Sequence, residues 1–385
     1  MLVPLGPVVV FGAANFPFAY STAGGDTACA LAAGCPVIVK AHPAHAETSE
    51  MVANAIFAAA SKCNMPDGIF SHVHGGSVRV GEQLVKHPHT KAVGFTGSFA
   101  GGKQLFDWGN QRKEPIPVFA EMSSVNPVFL LPEKMTSSAQ EIARMCAASI
   151  TLGAGQFCTN PGIIIGVDNA DLADFTRVLK NEIEKVPAAA MLNSGIYENY
   201  STKRNEALST KDVKTLFDKG NENYKLDDNA ASSELMVSPT LTITTAENFI
   251  ANPLLHQEVF GPYSIIVRCK DIDEMKAVAL SLQGQLTATL MATNKDIIEH
   301  EELVELIKDL CGRFILNGVP TGVEVCLAMQ HGGPFPASTD SRFTSVGADG
   351  IKRFARPLAF QNWPDELLPD ELKYDNPLGI LRHVG

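Results

Sequence analysis

A cysteine in a loop of small residues is the first feature of the sequence that could do chemistry. The stretch GAGQFCTNPG, from Gly153 to Gly162, places Cys158 after two glycines and before a threonine, an asparagine and a proline. A thiolate in such a loop can attack an electrophilic carbon, because glycines let backbone and ligand approach closely. Cysteine is also a common small residue of protein cores, so the pattern alone leaves both interpretations open.

A carboxylate inside an apolar run is the second such feature. Glu121 interrupts PIPVFAEMSSVNPVFLL, residues 115–131, which otherwise predicts a strand. A buried carboxylate is unfavourable unless it is paired, solvated by a cleft, or used in a reaction. Glu121 is therefore a second residue to which chemistry can be assigned.

Two other strand ends carry residues suited to binding an anionic ligand. In VGFTGSFAGGK, residues 93–103, Gly97 and Ser98 form a turn between a strand and a helix. Backbone N–H groups at a helix N-terminus suit a phosphate, although an ordinary glycine turn explains the pattern equally well. In VIVKAHP, Lys40 closes an apolar strand, where a solvent-facing strand end is the plainer interpretation.

These residues depend on alternating strands and helices for their positions. Strand patterns cover residues 6–13, 36–41, 68–75 and 91–98, and helical patterns cover residues 21–34 and 48–63. This alternation predicts a parallel sheet covered by helices on both faces, with ligands at the carboxyl ends of its strands. A helix over 138–155 leads into the cysteine loop, and strands are expected at 312–317 and within 351–364.

The composition excludes several classes of protein. The 385 residues are 45% hydrophobic and 19% charged, which is globular and leaves room for two or three domains. The net charge of -11, with no basic run, argues against a nucleic-acid partner. No apolar stretch approaches the roughly 18 to 20 residues of a membrane span. The eight cysteines lack a CxxC pair and suit reduced thiols in the cytoplasm.

Closely spaced histidines raise the question of a metal site. The pairs are His42 and His45, His72 and His74, and His87 and His89. None has a cysteine or carboxylate at a spacing that completes a ligand set. We therefore expect no metal.

Five motifs in order resemble one family. VKAHPAH, GFTGS, FAEMSS, GAGQFCTNPG and HQEVFGP are similar to the signature set of the NAD(P)-dependent aldehyde dehydrogenase superfamily, over essentially the whole chain. Within it, residues 11–45 and 320–347 resemble the 2,5-dioxovalerate (α-ketoglutaric semialdehyde) dehydrogenases most, with NADP-dependent fatty-aldehyde dehydrogenases as neighbours.

The resemblance implies an α/β fold with three parts. These are a Rossmann-type cofactor domain over 1–124, an α/β catalytic domain over 125–330, and a C-terminal loop, oligomerisation strand and tail over 331–385. Members of the family usually carry a further segment before the point where this chain begins, so we expect the cofactor domain to be N-terminally incomplete. RFARPLAFQNWP resembles the intersubunit strand, which implies a homodimer or homotetramer if assembly survives without that segment.

The resemblance also assigns catalytic roles. Cys158 is the implied nucleophile, which forms a thiohemiacetal and then a thioester, and Asn15 with the backbone N–H of Cys158 is the implied oxyanion donor. Glu121 is the implied base that activates water to hydrolyse the thioester. The motif reads EMSS where many relatives have Glu-Leu-Gly-Gly, which makes the surroundings of the carboxylate harder to predict.

The glycine-, proline- and serine-rich loop over residues 329–347, with Asn317 before it, is expected to lie near the substrate. Asn317, His331 and Gly332 are predicted to shape the substrate entrance rather than react, and Arg342 is a further hypothesis for binding a substrate carboxylate.

The cofactor residues follow from the same resemblance. Lys40 is expected to contact the adenosine ribose or its 2′-phosphate, Gly97 and Ser98 the pyrophosphate, and Glu258 the nicotinamide ribose, with Phe260 packed nearby.

The implied function is NAD(P)+-dependent oxidation of a small-molecule aldehyde, with 2,5-dioxovalerate converted to 2-oxoglutarate. Pro43 stands where NAD-preferring relatives often carry a glutamate that repels a 2′-phosphate, which favours NADP and leaves NAD open. The alternatives are a long-chain fatty aldehyde dehydrogenase, or a truncated, inactive relative that only binds cofactor or a partner chain.

Overall fold

A computed structural model of the protein describes residues 1–220 and 235–382. The strands in these ranges are β1 Leu2–Pro4, β2 Val8–Phe11, β3 Val37–Lys40, β4 Phe70–Val73, β5 Ala92–Thr96, β6 Val118–Glu121, β7 Val128–Leu130, β8 Ile163–Val167, β9 Ala189–Ala190, β10 Lys214–Asp218, β11 Met236–Val237, β12 Thr240–Thr245, β13 Tyr263–Cys269, β14 Gln285–Met291, β15 Cys311–Leu316 and β16 Ala355–Pro357. The helices are α1 Gly25–Ala32, α2 Ala46–Lys62, α3 Val78–Lys86, α4 Phe99–Asn110, α5 Pro132–Thr151, α6 Ala170–Glu184, α7 Ser194–Ser209, α8 Ala246–Ala251, α9 Ile272–Ser281, α10 Asn294–Glu299 and α11 Glu301–Leu310.

The first sheet is parallel and has the strand order β4-β3-β2-β5-β6. The β2 valines are fully buried because α1 and α2 cover one face of the sheet and α3 and α4 the other. This explains the unbroken apolar runs, since a strand buried on both faces has no polar side. The predicted α/β class is confirmed, although the helix expected over 21–34 is limited to α1.

The second sheet has the order β10-β12-β13-β8-β7-β14-β15 and is parallel except for its edge strand β10. Helices α5 and α6 pack on one face, and α7, α8, α9 and α11 pack on the other. The first sheet lies within residues 1–124 and the second within 125–330, while the assignment of functional domains stays a prediction.

The run over 115–131 is not one strand, which corrects the expectation. β6 ends the first sheet at Glu121, and β7 begins in the second sheet at Val128. We call residues 122–127 the crossover. Two of its backbone N–H groups, those of Val125 and Asn126, bond to a side chain instead of to a neighbouring strand. The Gln285 side-chain oxygen accepts both hydrogen bonds, at 2.8 and 3.2 Å.

The C-terminal part of the chain returns to the first sheet. The Met122 N–H donates to the Ala337 carbonyl at 2.8 Å, and the Thr339 N–H donates to the Ala120 carbonyl at 3.0 Å. The last strand is shorter than expected: β16 has three residues, follows a 3-10 helix over Ala348–Phe354, and pairs antiparallel with β1. Among the residues described, no helix combines the length and apolar character needed to cross a bilayer.

A buried ion pair fixes this returning segment to α1, one of the helices that cover the first sheet. The Arg353 guanidinium donates to the Asp26 carboxylate at 2.7 Å, and both side chains are largely buried. A buried pair of this kind is costly to break, because loss of one partner leaves an uncompensated charge.

Candidate functional site

The loop that carries Cys158 has a left-handed backbone. After α5, a 3-10 turn over Leu152–Gly155 contains Gly153, Ala154 and Gly155 at φ values of 54°, 55° and 65°. A Cβ on Gly155 would lie 2.3 Å from the carbonyl group of Gly261, so this position requires glycine. The turn therefore seats the loop against Gly261 and leaves Cys158 only partly buried.

Three chemically active side chains meet beside this loop. His331 Nε2 lies 3.9 Å from Cys158 Sγ, and His331 Nδ1 lies 2.7 Å from Glu121 Oε2. The Ser345 hydroxyl donates to the same carboxylate oxygen at 2.5 Å. The imidazole and the carboxylate are each 3% exposed, so both side chains are buried.

The three groups perturb one another's protonation. Burial disfavours the charged imidazole, but the Glu121 charge and hydrogen bonds with Cys158 and Glu121 outweigh it and raise the pKa of His331 to about 10. Burial acts to raise the pKa of Glu121, yet the His331 charge and hydrogen bonds from His331 and Ser345 bring it below its usual value. Both shifts favour the ionised forms, a carboxylate at Glu121 and an imidazolium at His331.

The pKa of the Cys158 thiol is raised, and burial is the largest cause. The hydrogen bond and charge of His331 oppose this rise, while the charges of Glu121 and Glu258 add to it. His331 is therefore the group in contact with the thiol that favours its ionised, nucleophilic form.

One carboxylate oxygen of Glu121 remains available. Oε2 accepts from His331 and Ser345, whereas Oε1 is buried and has no hydrogen-bond partner. An unpartnered carboxylate oxygen is suited to accepting a proton from water.

Asn15 lies at the same loop, as the sequence predicts. Its Nδ2 donates to the Gln156 carbonyl at 3.1 Å, two residues before Cys158. Phe16, the next residue, packs edge-on against Phe157 with ring centroids 5.5 Å apart. The β2–α1 connection thus brings the amide beside the thiol loop, while its role as an oxyanion donor stays a prediction.

The crossover holds the site together. Asn126 Nδ2 donates to the Cys158 carbonyl at 2.9 Å, and the Ser123 hydroxyl accepts from the Phe99 N–H at the start of α4 at 3.2 Å. The two serines of EMSS therefore have definite partners, since the Ser124 hydroxyl donates to Gln285 at 2.9 Å. Nothing in the spacing of SSVNP signals that Asn126 would support the nucleophile's loop.

Glu258 and Phe260 line a small cavity together with Ser124 and Val125 of the crossover, and this cavity also reaches Gly155 and Phe157. Burial raises the pKa of Glu258 to about 7, and hydrogen bonds from Ser123 and the Ser124 backbone oppose the rise. The carboxyl group therefore lies near the nucleophile's loop.

The residues predicted to bind the rest of a dinucleotide lie at one sheet edge. Lys40 ends β3, and Gly97 and Ser98 follow β5; β2 separates the two strands. Ser98 is the N-cap of α4 and accepts from the Gly101 N–H at 3.2 Å.

Three assignments made for residues between 317 and 342 are corrected. His331 is not at an entrance but between the thiol and Glu121. Asn317 bonds to both backbone groups of Ala292, so it joins β15 to β14. Arg342 is 80% exposed and pairs with Asp340, which makes it a surface ion pair rather than part of this site.

The fold and the site together define a class. A thiol, an imidazole and a carboxylate meet beside the carboxyl edge of a parallel sheet of the kind that binds dinucleotides, which is the arrangement of an oxidoreductase with a cysteine nucleophile.

Comparison with known proteins makes the class specific. Residues 1–339 match the aldehyde dehydrogenase family, and the chain belongs to this family of oxidoreductases, whose members act on small-molecule aldehydes with NAD(P). It is 48% identical over 380 residues to alpha-ketoglutaric semialdehyde dehydrogenase 2 of Azospirillum brasilense, covering 99% of this chain and 71% of that protein. It is 43% identical to alpha-ketoglutaric semialdehyde dehydrogenase of Acinetobacter baylyi, with coverage of 100% and 71%.

Solved structures share the fold at lower identity. An NAD-dependent aldehyde dehydrogenase from Sinorhizobium meliloti superposes with a TM-score of 0.74 at 20% identity, covering 92% of this chain and 66% of that one. Succinic semialdehyde dehydrogenase from Streptococcus pyogenes, in complex with NADP+, gives 0.74 at 16% identity, with coverage of 94% and 74%. The fold predicted from the motifs is thereby confirmed.

Proposed function

We propose that the protein oxidises α-ketoglutaric semialdehyde, which is 2,5-dioxovalerate, to 2-oxoglutarate with NADP+. The observation that carries the chemistry is the contact chain from Cys158 through His331 to Glu121, with one carboxylate oxygen free. The substrate is supported by the names of the two relatives that match the whole chain. Neither relative is named as a fatty-aldehyde dehydrogenase, so the names do not support that alternative. The intact set of reactive groups does not favour the alternative of an inactive relative.

The residues at the carboxyl edge fit a dinucleotide. Lys40 ends β3, and Ser98 follows β5 as the N-cap of α4; the two strands are separated by β2, so both residues lie at the carboxyl end of the sheet. The N-terminus of α4, a twelve-residue helix, offers backbone N–H groups to phosphates. In this proposal Lys40 holds the ribose or its 2′-phosphate, Gly97 and Ser98 the pyrophosphate, and Glu258 and Phe260 the nicotinamide end. When bound, the dinucleotide supplies the acceptor for a hydride.

Cys158 begins the reaction. Its S–H bond ionises with the proton going to solvent, and the imidazolium of His331 stabilises the thiolate through Nε2–H. The sulfur then attacks the aldehyde carbon, and the carbonyl oxygen becomes an oxyanion. Asn15 Nδ2 and the Cys158 backbone N–H donate to that oxygen, each such donor contributing roughly 3 to 4 kcal/mol.

Loss of hydride from the adduct restores the carbonyl group and leaves a thioester. A water molecule then attacks its carbon, Glu121 Oε1 accepts the water proton, and the C–S bond breaks to release the thiolate. Aldehyde, water and oxidised dinucleotide are thus converted to carboxylate, reduced dinucleotide and two protons.

NADP is favoured over NAD by the groups near Lys40. Pro43 begins a short 3-10 helix there and carries no charge to repel a 2′-phosphate. His42 adds no positive charge, since burial, together with His45 and Lys40, lowers its pKa to about 4. Lys40 is therefore the proposed cationic contact. Homo-oligomeric assembly and a cytoplasmic location stay predictions from the sequence.

The test is a spectrophotometric assay with purified protein. NADP+ and 2,5-dioxovalerate should yield reduced nicotinamide, with a kcat/KM well above that for NAD+ or for decanal. Cys158→Ala should abolish the signal. Decanal as the better substrate, or full turnover by Cys158→Ala, would contradict the proposal.

A further inference from the structure

Three ligand-type side chains meet at the carboxyl end of β4, and none of them belongs to the catalytic group described above. His72 lies in β4, His74 follows that strand, and Glu50 is in the first half of α2. Glu50 Oε2 is 2.8 Å from His74 Nε2 and 3.5 Å from His72 Nδ1. The two imidazole rings are nearly perpendicular, with centroids 4.7 Å apart. One atom from each residue falls within 4.8 Å of the other two.

The separations suit one small cation. Zinc binds imidazole nitrogen and carboxylate oxygen at about 2.0 to 2.2 Å, which puts tetrahedral ligand atoms about 3.4 Å apart. The observed separations of 2.8 and 3.5 Å bracket this value. Seating the ion thus requires Glu50 and His74 to separate by a few tenths of an ångström, and both side chains are about half exposed and free to adjust.

The secondary structure around the three ligands and the burial of one of them also favour a metal site. β4, the edge strand of the first sheet, pairs with β3, and α2 spans seventeen residues, so a strand and a helix hold the cluster. The His72 side chain is only 4% exposed, which fixes its ring. An ion here would keep open positions for water, as three protein ligands allow.

The packing of α2 on β4 explains why the sequence predicts no such site. Glu50 is 22 residues before His72, so only the packing of α2 on β4 brings it to the histidines. His87 and His89 have the same spacing, but among the described residues they join no comparable group of three.

We propose that Glu50, His72 and His74 bind one zinc-class divalent ion, which ties α2 to the carboxyl end of β4. Zinc should therefore stabilise the edge of the first sheet, because the ion links two elements that otherwise meet through side-chain packing.

Equilibrium dialysis against Zn2+, with bound zinc measured by atomic absorption, tests the proposal. Cys158→Ala protein is the starting point, because thiolates themselves bind zinc. It should bind one zinc per chain and melt at a higher temperature in its presence. Glu50→Gln and His74→Gln in that background should each weaken binding at least tenfold, and His89→Gln should leave it unchanged.

The variants are chosen so that folding does not decide the outcome. Glu50, His74 and His89 are exposed, so circular dichroism melts without zinc should coincide with that of the starting protein. Absence of saturable zinc in Cys158→Ala, or undiminished affinity in either Glu50→Gln or His74→Gln, would overturn the proposal.

Discussion

Replacement of His331 by glutamine should lower the fraction of Cys158 that is ionised, while the thiol itself remains in place. In the native site the imidazolium Nε2 faces Cys158 Sγ at 3.9 Å, and its other nitrogen is held by Glu121. Glutamine is neutral, so the thiolate loses a cationic partner while the thiol loses little. The pKa of Cys158 should therefore rise, and the ionised fraction at neutral pH should fall.

The size of the effect follows from the contact. A hydrogen bond to a charged group contributes about 1.5 to 3 kcal/mol. Since one pKa unit corresponds to about 1.4 kcal/mol, the thiol pKa should rise by about 1 to 2 units. Below both pKa values this means an ionised fraction about 10 to 100 times smaller, and above both the fractions converge.

Alkylation by iodoacetamide measures the ionised fraction directly. The modification rate of Cys158, followed by mass spectrometry of its peptide from pH 6 to 10, should give a curve displaced to higher pH in His331→Gln. His256→Gln is the control, because His256 is also partly buried but bonds to the Phe249 carbonyl away from this thiol. An unshifted curve, or one displaced to lower pH, would refute the role given to the imidazolium.

Three other substitutions, the last with a control variant, test the site and its support. Glu121→Gln should slow thioester hydrolysis about 10²- to 10⁴-fold, so rapid-mixing absorbance should show one fast turnover followed by a slow phase; equally slow phases would contradict this. Gly155→Ala should lower the melting temperature, because a left-handed alanine costs about 1 to 2 kcal/mol before the clash is counted. Asp26→Asn should cost about 3 to 5 kcal/mol in urea unfolding, since Arg353 stays buried and charged, whereas the control Arg342→Ala, at an exposed ion pair, should leave the urea midpoint nearly unchanged; equal losses would contradict the distinction.

Local features of the fold could be predicted from the sequence. Strands such as β2 carry unbroken valines because helices cover both of their faces. Lys40 and Ser98 were expected at strand ends, where the structure has them. The glycines of GAGQFC were expected to allow a close approach, and Gly155 packs directly against Gly261.

Long-range returns of the chain could not be predicted in the same way. His331 and Ser345 reach Glu121 only because residues 331–345 fold back onto β6, more than 200 residues away in sequence. No periodicity or spacing in the sequence predicts that residues 331–345 contact β6. The apolar character of 115–131 likewise concealed that its two halves belong to different sheets, since both halves are buried strands. The functional roles of the site residues stay predictions until the assays above are done.

The crossover has a consequence for how the protein tolerates change. Its six residues connect the strand that ends in the base to the sheet that follows, and they also contact α4 and the carbonyl of the nucleophile. A one-residue insertion in an exposed loop is usually absorbed locally. The same insertion between Glu121 and Val128 would change the distance between the Glu121 carboxylate and the Cys158 thiol. It would also shift the start of α4 relative to these two residues. The length of this segment, together with the contacts of Ser123 and Asn126, therefore sets the distance between the base and the nucleophile.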